Sequence, residues 1–388
     1  MEFDDQLDPT DETEIGDHRI VIIERPYSPE KRFEMRGDLG FKRMMNGADS
    51  IDWTEKEGAV AAVKGAEALL AGKAADVRFA IQTKHNNGAL KESEKAGNKI
   101  NKLNEDGFLM IQHKGRTIMV VFDGVGGENG FKGTEMAAVA FYESIREDAT
   151  LKEALEKANE VLYRFNKLNR SKGMAATVIV AAEIEGDEGE MVWAGDAEGQ
   201  LLDEDSEPVF ETVPHNQAAL GFQVGLSRQE YWKNRKARGP IYSGLGIEAH
   251  PVIGEMHRRK LKPGWRFALR SDGATDNSSP YETAQLLKGR RNSVKALDAL
   301  FAHQEKVAGQ EQINIEDVEA DGTHFTTSQK PKGDNVTMGV MDYLGDLSME
   351  SVAPALTTVG WTEIMRRKIL SVVESSGLAA WFRDDGQA

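Results

Sequence analysis

The sequence predicts an α+β fold, and three observations predict it. Strand-like apolar segments come in bunches, helix-like segments come in pairs between those bunches, and no steady strand–helix–strand alternation runs along the chain. With 388 residues and 40% hydrophobic content there is enough apolar material for one large core with appendages, or for two domains.

The elements follow in chain order. Residues 1–50 are acidic and weakly periodic, which predicts a partly disordered or loosely docked arm. Residues 53–73, "WTEKEGAVAAVKGAEALLAGK", are rich in Ala, Glu, Lys and Leu and predict a helix. Strands are then expected at "VRFAIQT" (77–83), "GFLMIQH" (107–113) and "RTIMVVFD" (116–123), with the Lys-Gly between the last two as a hairpin turn. The polar, aperiodic stretch between the first two reads as a long loop.

"GTEMAAVAFYESIRE" predicts a helix with Thr134 at its N-cap. A second helix follows, with an apolar stripe of Leu151, Leu155, Ala158, Leu162 and Phe165. Strands return at 174–184 and 190–196. Residues 214–250 fit neither period and are locally basic through Arg228, Lys233, Arg235, Lys236 and Arg238; for that basic cluster at 228–238 a solvated loop is the expectation, and His215 is read as a local hydrogen-bonder. A strand at 265–272, helical material over 280–308 and a last strand at 335–344 complete the pattern. Beyond it, 361–374 reads as an amphipathic helix whose apolar residues are Ile364, Ile369, Leu370, Val372 and Val373.

Composition narrows the function. The formal charge of −16, from 64 acidic and 48 basic residues, repels nucleic acid and anionic membranes. It suits a soluble protein, or one that collects cations. The chain has no cysteine, which excludes disulfides, thiolate metal sites and cysteine nucleophiles. No secretory or transit segment is legible at the N-terminus, and the apolar runs are far short of the ~20 residues of a membrane span, so the expectation is a cytoplasmic protein. Nothing in the residues sets an oligomeric state.

The chemistry is concentrated where segments end in acid. Asp123, Asp196 and Asp272 close three strand segments, Asp334 stands just before the last one, and Glu105 and Asp106 open another. Any single Asp-Gly is most simply a turn. Gathered at one end of a sheet, however, these carboxylates repel unless cations lie between them. Hard divalent ions such as Mg²⁺ and Mn²⁺ take oxygen ligands. Zinc is disfavoured, because the eight histidines are scattered and thiols are absent. The glycine-rich "DGVGGENGFKG" fits neither a Walker loop, which needs Ser or Thr after Lys132, nor a dinucleotide fingerprint, which needs Gly where Asn129 stands.

Seven segments in order, "NEDGF", "FDGVGGENG", "GTEMAA", "MAATVIV", "AGDAEGQLL", "RSDGATDN" and "GDNVTMGVM", resemble the signatures of the metal-dependent serine/threonine protein phosphatases of type 2C (PPM-type). The resemblance covers roughly residues 77 to 344. It implies a four-layer α-β-β-α sandwich of two antiparallel sheets over a domain at 51–345, with a flap-like insertion at 214–250, an acidic arm at 1–50 and a helical extension at 346–388. It also implies a phosphoprotein substrate and two Mn²⁺ or Mg²⁺ ions, with a third, weaker one, and a hydroxide shared by the ion pair that attacks phosphorus.

By the same resemblance Asp123 bridges the ions, Asp272 and Asp334 complete one shell, and Glu105 and the carbonyl of Gly124 serve the other. Asp106 orients the reacting water, so that Asp123 and Asp106 are the catalytic pair. Asp196 matches the aspartate that helps hold the weaker third ion, and Asp276, also counted among the metal residues, lies in the same acidic cluster. Two positions depart from the family. Asn101 stands where it places a phosphate-clamping arginine, for which Lys102, Lys84 and Arg78 are candidate substitutes. Val125 stands where it usually carries a histidine or methionine, and a valine cannot protonate a leaving group. Two rival readings follow: an inactive pseudophosphatase that serves as a binding module, and a phosphatase of small esters.

Overall fold

The computed structural model describes residues 14–15, 18–23, 51–52, 58–62, 68–74, 76–84, 104–125, 129–169, 173–234 and 239–345. The arm's remaining residues, the expected loop before residue 104 and the expected C-terminal helix at 361–374 lie outside the described residues.

Two large sheets form the middle of the molecule. The first runs, from one edge to the other, β1 (Glu14–Ile15), β2 (His18–Ile23), β4 (Gly58–Ala62), β7 (Gly107–His113), β8 (Arg116–Val125), β9 (Ala176–Glu185), β10 (Glu188–Ala194) and β13 (Gly254–Lys260). The second runs β12 (Pro208–Glu211), β11 (Glu198–Leu202), β14 (Arg266–Arg270), β17 (Val336–Tyr343), β6 (Val77–Lys84), β5 (Ala68–Ala74) and β3 (Ile51–Asp52). Pairing is antiparallel except between β2 and β4 and between β3 and β5.

The central strands are apolar on both faces because both faces are buried. Along β8 the side chains alternate: Met119 and Val121 join Phe79, Phe108, Val180 and Leu269 in the core between the sheets, while Ile118, Val120 and Phe122 face outward. That outer face is covered by α1 (Gly130–Arg146) and α2 (Leu151–Leu168). On α2 the stripe Leu151, Leu155, Ala158 and Leu162 is buried as expected, each leucine contributing about 1.5–3 kcal/mol by leaving water. Thr150 starts that helix with a capping box, its amide donating to Glu153 Oε2 at 2.9 Å. The outer face of the second sheet, with Ala268, Met338 and Val340, is covered by α5 (Pro280–Leu287) and α6 (Ser293–Ala308). The result is the expected helix–sheet–sheet–helix sandwich.

The β7–β8 hairpin turns at Lys114 and Gly115, both at positive φ (47° and 81°), as the Lys-Gly dipeptide predicts. Three expectations are corrected: the helix at 53–73, the Thr134 cap and the solvated loop of the basic cluster. Residues 53–73 are not a helix where described: β4 and β5 occupy Gly58–Ala62 and Ala68–Ala74. Their Ala-rich composition favours a helix locally, but each extends a sheet, β4 beside β7 and β5 beside β6, and burial alternates along 69–74. Within the acidic arm, the apolar run of β2 pairs with β4 from Ile20 opposite Ala59. Thr134 is not an N-cap; α1 starts at Gly130, and Thr134 is buried one turn inside it.

The basic cluster at 228–238 is not a solvated loop where it is described. A 3₁₀ turn (Ala219–Val224) and α3 (Arg228–Lys233) pack Tyr231 and Trp232 against Ile313 and Ile315 of a separate hairpin, β15 (Ile313–Val318) with β16 (His324–Gln329). Arg228 pairs with Glu211 at 2.8 Å and with Asp317 at 3.0 Å, so this basic residue fastens the segment down. Residues 235–238 lie outside the description. Among the described residues, no helix is long and apolar enough to cross a membrane.

Candidate active site

Strand alternation decides where Asp123 goes. It follows Met119 and Val121 on the face of β8 that looks toward the other sheet, at the strand's open end. Its backbone carbonyl accepts from Thr177 Oγ1 at 2.8 Å, which pins it to the neighbouring strand β9. From the second sheet, β14 ends at Arg270, and Ser271 and Asp272 open the short helix α4 (Asp272–Thr275), whose C-cap is Asp276. The amide of Asp272 donates to Asp123 Oδ2 at 3.2 Å. The two sheets therefore deliver their acids to one place.

Asp106, just before β7, is buried, and the hydroxyl of Ser271 donates to its Oδ2 at 2.7 Å. That hydroxyl in turn accepts from the amide of Thr337 on β17 at 2.9 Å, and Thr337 donates to Thr83 on β6 at 2.7 Å. Asn104, also buried, holds the start of this turn by donating to Thr83 and accepting from the amide of Asp106. Glu105 is fixed through its backbone: its carbonyl accepts from Thr134 Oγ1 at 2.8 Å. This contact is what the buried threonine of α1 does in place of capping.

Close approach explains two glycines. A Cβ on Gly124 would stand 2.6 Å from the Glu105 carbonyl oxygen and 2.7 Å from the backbone of Gly130, so only a bare backbone fits there. A Cβ on Gly273 would collide with the carbonyl oxygen of Asn335, so α4 and the loop before β17 touch backbone to backbone. That loop carries Asp334. Residues 126–128 lie outside the description, and Val125 packs against the core between the sheets.

The acids feel one another strongly. Loss of water and then the neighbouring Asp272, Asp106, Asp334 and Asp196 hold the Asp123 carboxyl well above its ordinary range. Asp106 and Asp196 are also pushed well up, in each case first by burial and with Asp272 among the repelling neighbours. Burial and then Asp334 raise Glu105 to about 8, and burial and then Asp272 raise Asp334 to about 6. Asp276 acts on both Asp196 and Asp334. All the acids singled out in the sequence thus share one electrostatic neighbourhood, with Gly124 against Glu105.

One cation lies among them that the sequence reading missed. Lys332 Nζ is 2.5 Å from Asp272 Oδ2, 2.8 Å from Asp276 Oδ2 and 3.8 Å from Asp334 Oδ2. Its only sequence signal is a place two residues before Asp334. Among the described residues no three His, Asp or Glu side chains stand ready to grip a single ion. The donor chemistry nevertheless suits hard divalent ions: carboxylate oxygens, crowded by their own repulsion. Of the substitutes for the missing arginine, Lys84 pairs with Glu305 at 2.5 Å and Arg78 donates to the carbonyl of Arg291, while Lys102 and Asn101 lie outside the description.

His215 behaves as expected. Its Nδ1 accepts from the amide of Gly195 at 3.2 Å, burial lowers its pKa to about 4, and the neutral ring steadies the turn that presents Asp196.

A family model for protein phosphatase 2C matches residues 97–315, more than half of the chain. Among solved structures, the serine/threonine phosphatase PstP/Ppp of Mycobacterium tuberculosis is 19% identical with a TM-score of 0.52, covering 69% of this chain and 99% of that one. The PPM Ser-Thr phosphatase MsPP from Mycobacterium smegmatis, solved with cacodylate, is 18% identical with a TM-score of 0.51, over 69% and 98%. The S. agalactiae serine/threonine phosphatase gives 18%, 0.51, 69% and 99%. At such identities the structures establish a shared fold. No curated protein matches the chain. The ordered acidic segments, the double sandwich that gathers them and the family match lead to one conclusion: the chain belongs to the protein phosphatase 2C family, and so to the protein serine/threonine phosphatases.

Proposed function

We propose that the chain hydrolyses phosphoserine and phosphothreonine in proteins with the help of divalent Mn²⁺ or Mg²⁺. The observation that carries this reading is Asp123, held among Asp106, Asp272, Asp334 and Asp196 with its carboxyl pushed well above the usual range. Carboxylates crowded in this way are costly unless cations join them. Glu105, Asp123 and the Gly124 carbonyl would hold one ion; Asp123, Asp272 and Asp334 would hold the other; Asp196 and Asp276 would serve a weaker third. Bound there, such ions supply an activated water and positive charge against the phosphoryl oxygens.

The chain's own residues do the rest. Asp106, buried and hydrogen-bonded to Ser271, holds a fixed acceptor beside the other acids and orients the attacking water. The amide of Asp272 fixes Asp123, which keeps the acids of the two sheets in register. Val125 offers no proton, so the leaving serine or threonine oxygen takes its proton from solvent in the cleft. With no cysteine in the chain, displacement by water is the consistent route.

Lys332 favours a second reading, a pseudophosphatase whose acids are neutralised by the protein itself. Hydrolysis of p-nitrophenyl phosphate and of a phosphothreonine peptide with Mn²⁺, with and without chelator, separates the readings. Chelator-sensitive turnover of the peptide supports the proposal. Metal uptake without turnover supports the pseudophosphatase, and turnover confined to the small ester supports a small-molecule phosphatase.

A further inference from the structure

Lys332 is placed over the acids by construction. Its amide donates to Asn277 Oδ1 at 2.8 Å, and its carbonyl accepts from Asn277 Nδ2 at 2.8 Å. Asn277 is itself buried, one residue after Asp276, and also donates to the carbonyl of Gly273. On the other side Gln329 Nε2 donates to the carbonyl of Asp276 at 2.6 Å. With the close backbone approach of Gly273 to Asn335, these contacts weld the loop before β17 onto α4. The main chain at Lys332 is held, while its four-carbon stem remains rotatable and the side chain is 32% exposed.

The ammonium occupies the carboxylate oxygens that a divalent ion would need. Asp272 Oδ2 and Asp276 Oδ2 are both within hydrogen-bond distance of Nζ. An ion at the ~2.0–2.1 Å typical of Mg²⁺–oxygen bonds cannot share those oxygens with an ammonium in the same place. Lys332 brings one positive charge to the three carboxylates it meets, whereas a divalent ion brings two. The arrangement is therefore an exchange of counter-ions.

We propose that Lys332 is the built-in counter-ion of the Asp272–Asp276–Asp334 side of the site, displaced from those oxygens when a divalent ion loads there, and that it sets the ion concentration at which loading occurs. The inference rests on the metal-dependent reading above. It assigns to a residue of the β16–β17 loop control over loading, separate from the acids that hold the ions.

Calorimetric titration of the chelator-stripped full chain with Mn²⁺ tests it, comparing wild type with Lys332→Met. The variant should bind its tightest ion on this side at least about tenfold more strongly, the gain when a competing state that holds nine-tenths of the population is removed. Unchanged or weaker binding in the variant, with wild type binding normally, overturns the role of Lys332 and leaves the metal reading intact. No Mn²⁺ uptake by wild type overturns the metal reading itself. Acylation of lysines in the wild-type chain, followed by mass spectrometry, keeps the question open to refutation if the variant fails to fold. Mn²⁺ should speed modification of Lys332 several-fold; unchanged or slowed modification overturns the proposal.

Discussion

The amide of Asp272 donates to a carboxylate oxygen of Asp123 at 3.2 Å, joining the end of β14 in one sheet to the end of β8 in the other across 149 residues of sequence. The contact places an acid from each sheet side by side. Burial and the neighbouring acids make the charge of Asp123 costly to the metal-free fold, while the proposed activity needs it.

Asp123→Asn keeps an oxygen that accepts from Asp272 but removes the charge. Turnover of a phosphothreonine peptide with Mn²⁺ should fall ~100-fold or more, the scale of losing a principal electrostatic group in an active site. In chelator the same variant should melt above wild type, because a repelling carboxylate is gone. A lower melting temperature in chelator would show that repulsion is not what dominates at this position.

The metal-free protein should lose stability as pH rises. Glu105 is raised from 4.5 to about 8 and Asp334 from 3.8 to about 6, chiefly by burial, and Asp106, Asp123 and Asp196 are raised as well. With folded-state values above unfolded ones, the native chain holds more protons than the unfolded chain through this window, so unfolding free energy declines as pH climbs from about 4 to about 8. Thermal scans in chelator at pH 5 and pH 8 should show the lower transition at pH 8. Added Mn²⁺ should restore more at pH 8, where more of the carboxylates are ionised and ready to bind.

Gly273→Ala should be far more damaging than its size suggests. The new Cβ meets the carbonyl of Asn335, a backbone atom that cannot step aside, and overpacking of this kind costs about 1–3 kcal/mol or more. Gly239→Ala, with nothing within 4 Å, is the control and should stay within about 0.5 kcal/mol of wild type. Urea denaturation of both distinguishes them, and equal midpoints would mean the loop before β17 yields freely.

Arg228→Met should loosen the insertion without touching the acids. It strips Asp317, 1% exposed, of its ion pair and leaves the Trp232 indole as a remaining donor at 2.8 Å. Breaking a buried pair costs about 3–5 kcal/mol, and the partial exposure of Arg228 reduces this to roughly 2. Hydrogen exchange should accelerate across α3 and the β15–β16 hairpin while β8 and β14 keep their protection.

What the sequence made legible was local, or repeated at short period. The β7–β8 hairpin, the α2 stripe and the strand-terminal acids can be read from neighbours within a few residues, and the sandwich and its acidic site are what their resemblance, in order, to the type 2C signatures implies. What escaped depends on distant partners. Residues 53–73 have helix-forming composition, yet β4 and β5 are claimed by β7 and β6. Thr134 looks like a cap because its true partner, the Glu105 carbonyl, lies 29 residues earlier. Arg228 reads as a solvated charge until Asp317, 89 residues on, is known to face it. Lys332 was invisible for the same reason: it sits 60 residues from the aspartate it meets most closely.

Asp334 stands immediately ahead of β17, the strand that separates β14 from β6 in the second sheet. A chain still being synthesised has therefore made Asp123, Asp196 and Asp272 long before it can assemble the cleft they share. Any product released upstream of residue 334 lacks both Asp334 and β17, and so one acid of the site and the strand that joins β14 to β6.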